Sequence, residues 1–158
     1  MLSAADHADA SFDLLNLGTN SFTIDSGISI GPYDQTGDSL VFSGNVSLGN
    51  TQAGTFAEQD WSGYESFGLR MTLTGENPEL PFTVEFFDVN FESIAKYQGN
   101  TAGLSFVPTV AMLGLSMVGN ENFSQVVGMQ FTWDGEGSID TRVTEVVGSP
   151  ASVFQPRL

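Results

Sequence analysis

The sequence predicts an all-β protein, an antiparallel β-sandwich of about nine or ten strands. Helical periodicity is nearly absent. Short apolar alternations recur along the chain, separated by turns rich in Ser, Thr, Asn and the 18 glycines, as tight turns between strands require. The alternations have two faces, one apolar and one polar, which is the pattern of sheets packed through one side. With 158 residues, 41% hydrophobic residues and 13 Phe, the chain fits one domain with a packed core.

Taken in order, residues 1–9 read as a flexible segment, residues 10–147 as the sandwich, and residues 148–158, with Pro150 and Pro156, as a flexible tail. Strands are expected at residues 10–15, 21–24, 39–43 and 54–57, with Tyr33 on a loop at 31–38. Residues 66–74 alternate most clearly, with Phe67, Leu69, Met71 and Leu73 on one face and Gly68, Arg70 and Thr72 on the other. Residues 82–88 place Phe82, Val84 and Phe86 inward and Thr83, Glu85 and Phe87 outward. A short turn at Asp88, Val89 and Asn90 then makes a hairpin with residues 91–97. Residues 109–118 are apolar and Met-rich, and read as a strand buried on both faces in preference to a short helix. Residues 126–134 align Val127, Met129, Phe131 and Trp133 against Gly128, Gln130 and Thr132, and a turn at 134–137 suggests a second hairpin with residues 138–147.

Composition excludes several functions. The 19 acidic residues against 4 basic ones give a net charge of -15, so there is no cationic surface for nucleic acid or anionic lipid. Without cysteine there are no disulfides, thiolate nucleophiles or sulfur-ligated metals. His7 is the single imidazole and sits in the segment read as flexible, which argues against a Ser-His-Asp triad. No apolar run of about 18 residues exists to span a membrane by helix, and the first ten residues lack the pattern of a signal peptide.

The stretch from Asp60 through Trp61, Tyr64 and Phe67 to Arg70, then Phe82 to Asp88, and finally Val127-Gly128-Met129-Gln130-Phe131 leading to Ser138-Ile139-Asp140, resembles the galactose-binding-like jelly-roll modules of bacterial carbohydrate-active enzymes and cell surfaces. The likeness covers residues 38 to 147. It implies a jelly roll and a carbohydrate or cell-surface role. It also implies a structural calcium held by an Asp of the last strand, Asp140, with Asp13 of the first.

Carbohydrate recognition needs an aromatic face for the apolar side of a sugar and planar polar groups for its hydroxyls. The outward face of the expected sheet offers Arg70, Glu85, Phe87, Gln130 and Thr132, and the loops add Trp61 and Tyr33. For Arg70 two readings stand side by side, a ligand contact and a cross-strand pair with an acid such as Glu85. Trp61 likewise reads as a loop aromatic or as a plug at the end of the core. The expected function is a non-catalytic, exported module at the cell surface or outside the cell, binding carbohydrate. The alternative is a structural surface protein that self-assembles into homo-oligomers or contacts a neighbouring surface protein. A glycoside hydrolase needs a carboxyl pair across a sugar, for which Glu85 and Asp134 are the residues to test.

Overall fold

A computed structural model describes residues 12–16, 23–24, 34–36, 39–118 and 122–150, and among these it contains eleven strands and no helix. In chain order they are β1 (Phe12–Asn16), β2 (Thr23–Ile24), β3 (Asp34–Thr36), β4 (Ser39–Val46), β5 (Thr51–Gln59), β6 (Tyr64–Leu73), β7 (Pro81–Asp88), β8 (Ser93–Asn100), β9 (Thr109–Val118), β10 (Val126–Trp133) and β11 (Gly137–Pro150). All pairings are antiparallel. Hydrogen bonds link them in the order β2-β5-β10-β7-β8-β9-β6-β11-β4-β3, with β1 also beside β11. The path folds over at β9: residues 109–113 pair with β6 and residues 114–118 with β8. One layer therefore holds β1, β3, β4, β6 and β11, the other β2, β5, β7, β8 and β10, and β9 belongs to both.

Period-two alternation explains which residues meet between the layers. From β6 come Phe67, Leu69 and Met71, from β7 Phe82, Val84 and Phe86, and from β10 Met129, Phe131 and Trp133, all buried. Aromatic rings bridge the two layers. Phe42 of β4 stacks on Phe131 at 5.0 Å, and Phe67 meets Phe86 at 5.7 Å. Each buried ring contributes roughly 1.5–3 kcal/mol by leaving water, and pairs in contact add more. Gly99 is required by this packing, because a Cβ there would lie 2.5 Å from Phe82 Cζ and 2.9 Å from Leu113 Cδ2.

The antiparallel sandwich expected from the sequence is the fold observed, with four corrections of detail. Eleven strands replace nine or ten, the extra one being β3 at Asp34–Thr36, where a loop was expected. Strands β10 and β11 are no hairpin. The chain crosses between layers after Trp133, since β10 pairs with β5 and β7 while β11 pairs with β4 and β6. β9 is a strand but is not buried on both faces, because Met112 and Leu115 are about half exposed. The last strand also outruns its expected end, pairing Gly148 with Phe67 and Ser149 with Ser66, so residues 148–150 belong to the sheet and not to a tail. Residues 1–9 and 151–158 lie outside the described residues.

Candidate functional site

Turning Phe82, Val84 and Phe86 inward obliges Thr83, Glu85 and Phe87 to face outward, and the register of the neighbouring strands extends each into a row. In the first row Thr51 of β5 lies opposite Thr132 of β10, Thr132 opposite Thr83 of β7, and Thr83 opposite Gln98 of β8. In the second, Ala53 lies opposite Gln130, Gln130 opposite Glu85, and Glu85 opposite Lys96. The third carries Thr55, Gly128 and Phe87. Chemistry changes row by row, from hydroxyl and amide, through amide and charge, to glycine and aromatic.

Apart from Ala53, the first two rows, together with Ser116 of β9 and Asp134, line an open groove of about 440 Å³.

Its polar groups are partly engaged with one another. Lys96 Nζ stands 3.8 Å from Glu85 Oε1, the Thr51 and Thr132 hydroxyls are 3.2 Å apart, and the Thr83 hydroxyl donates to Asp134 Oδ2. Gln98 and Gln130 add planar amides that both donate and accept. Beyond Gln130 the surface becomes apolar: Ala53, Gly54 and Gly128 floor a trough of about 160 Å³, with Phe87 and Phe91 among its lining residues. Phe91 is two-thirds exposed and holds φ at 59°, a left-handed conformation that costs a bulky residue energy. The turn that imposes it is anchored by Asp88. Buried Asp88 accepts through Oδ1 from the N–H groups of Asn90 at 2.9 Å and Glu92 at 3.0 Å, and its carbonyl accepts from Phe91 N–H at 2.9 Å.

Of the residues expected at the site, Glu85, Phe87 and Gln130 come together on this face. Arg70 does not. It lies in the other layer, where Nε donates to Glu145 Oε2 at 3.1 Å, so its acidic partner is on β11, and Glu85 pairs with Lys96 instead. Trp61 is buried and packs on Phe56, Phe67 and Phe86, plugging the end of the core, and so presents no ring to a ligand. Asp60 before it accepts from the Ser62 hydroxyl and N–H, and these bonds hold its carboxyl below the usual value. Tyr33 lies outside the described residues.

The two residues named for calcium stand apart along the backbone of the sheet. Asp13 is opposite Val147 and Asp140 opposite Ser43, seven positions apart along β11, or about 23 Å of extended strand. Asp140 is instead taken up locally, accepting from the Thr74 hydroxyl while its N–H donates to Asn77 Oδ1. Among the described residues no three acidic or imidazole side chains converge.

Sequence reasoning missed Lys96, Gln98, Thr51 and Phe91. The first two were within reach, because the β7–β8 hairpin register sets them opposite Glu85 and Thr83. Phe91 was not, since its exposure follows from the turn conformation.

No protein-family model and no curated protein matches the chain. Among solved structures, the family 11 carbohydrate-binding module from Clostridium thermocellum in complex with a β-1,3-1,4-mixed-linked tetrasaccharide aligns with 13% identity and a TM-score of 0.45 over 89% of this chain and 88% of that one. The family 11 module of a cellulosomal cellulase from the same organism aligns with 11% identity and a TM-score of 0.46, over 89% and 86%. Both of these similar structures are carbohydrate-binding modules of family 11.

Proposed function

We propose that this chain is a non-catalytic carbohydrate-binding module, exported to where polymeric glycans are met, that holds a glycan in the groove across β5, β10, β7, β8 and β9. The observation that carries this reading is the two-row array of hydroxyl, amide and charged side chains on one open face. Such groups exchange hydrogen bonds with sugar hydroxyls while the sheet beneath keeps them in register. Glu85 and Asp134 both line the groove, but each already has a partner in Lys96 or Thr83, which favours holding a ligand over cleaving it. Affinity electrophoresis against neutral soluble polysaccharides tests the reading. Wild type should be retarded by at least one, without shortening it. Gln130→Ala should weaken retention about tenfold, the scale of one or two lost hydrogen bonds. Absence of retardation on every polysaccharide, or equal retardation of Gln130→Ala, overturns it.

A second reading, self-association, is favoured by the apolar side chains exposed on β9 and the loop before it: Phe106, Val107, Met112 and Leu115. Sedimentation over a wide concentration range decides. A dimer dispersed by Met112→Glu supports it, and a monomer throughout removes it.

A further inference from the structure

Resting on the carbohydrate reading, we infer that the trough beside Phe91 is an end subsite, which receives one sugar ring of a chain whose remaining units lie in the polar groove. Gln130 lines both, so the two hollows adjoin across its side chain. The trough differs from the groove in kind. Its floor is the paired backbone of β5 and β10, with Met129 opposite Gly54 and two glycines in the lining, so it offers a low surface with few side-chain polar groups. A Cβ on Gly128 would stand 3.6 Å from Phe87 Cβ and 3.3 Å from Gly54 O, so the absence of a side chain there keeps that floor low. An occupant must be flat and apolar toward the floor and polar at the rim facing Gln130. A pyranose ring has that division, with C–H groups on one face and hydroxyls around its edge.

The Asp88 turn sets the left-handed backbone at residue 91, where glycine would sit without strain, yet the position carries a Phe whose ring stands two-thirds in water. Strain retained at an exposed aromatic is accounted for by a ligand that uses the ring. The residue is thus a length sensor: a short glycan fills the polar groove alone, and a longer one also gains the ring.

The experiment is a glycan array that carries each neutral oligosaccharide at two and at six units, probed with wild type, Phe91→Gly and Gly128→Val, alongside thermal unfolding. Phe91→Gly should unfold a few degrees higher, because glycine accepts the conformation without strain. It should lose at least tenfold in apparent affinity for six-unit glycans, yet stay within twofold for two-unit ones. Gly128→Val, which fills the trough and leaves Phe91 in place, should show the same length-selective loss. Equal losses at both lengths, or none in either variant, overturn the end subsite while leaving the groove. A wild type that binds nothing on the array overturns the groove reading and this one with it.

Discussion

Arg70 and Glu145 lie directly opposite each other on β6 and β11, and the guanidinium Nε donates to Glu145 Oε2 at 3.1 Å. The pair steadies the layer that does not carry the groove. Both side chains are partly exposed, at 32% and 18%, so solvent screens the interaction. Arg70→Ala is expected to lower stability by less than about 1 kcal/mol in urea unfolding and to leave glycan retention within twofold. A large loss of binding would return Arg70 to the ligand site.

Asp88 is the residue on which the β7–β8 turn depends. Asp88→Ala deprives two N–H groups of their acceptor and is expected to cost about 2–3 kcal/mol. Asp88→Asn keeps an acceptor oxygen and should recover part of that. Equal destabilisation by both, measured by urea unfolding, would show that the carboxylate charge matters more than the acceptor.

Gln52 presents the opposite situation. Its side chain is buried beside the inward row of β10, and both amide atoms lack a hydrogen-bond partner. Gln52→Met keeps the unbranched shape without the polar atoms and is expected to stabilise the fold by about 1–2 kcal/mol. Thermal unfolding reads this directly, and an unchanged midpoint would point to ordered water on the amide.

The hydrogen bonds from Ser62 to Asp60 predict a pH dependence. They lower the folded-state pKa below 3.8, so the unfolded chain binds more protons in the window beneath that value. The contribution is present above 3.8 and is lost as pH falls through the depressed folded-state value. In thermal unfolding from neutral to strongly acid pH, Asp60→Ala should differ from wild type at neutral pH, and the two should converge at the acid end. A constant gap would mean that Asp60 acts through shape and not ionisation.

The inward residues of β6, β7 and β10 are legible in the sequence because a strict alternation leaves one assignment of faces. That alone places Glu85, Phe87 and Gln130 outward. Which outward faces are neighbours is another matter, since it depends on pairing between distant strands. Arg70 and Glu85 look equivalent by alternation, yet β6 and β7 lie in different layers. The alternation of residues 126–134 also misses a local break: the register shifts between Val126 and Gly128, burying Val126 where Val127 was expected. Such a bulge adds a residue to one strand without changing its hydropathy pattern.

β9 carries a consequence for how the groove behaves under load. A strand that is hydrogen-bonded into both layers acts as a spine, so neither layer can slide over the other without shearing its ladder. A glycan pulling on the outer face of one layer therefore pulls on the whole domain. The groove should keep its width under tension until the molecule gives way as a unit.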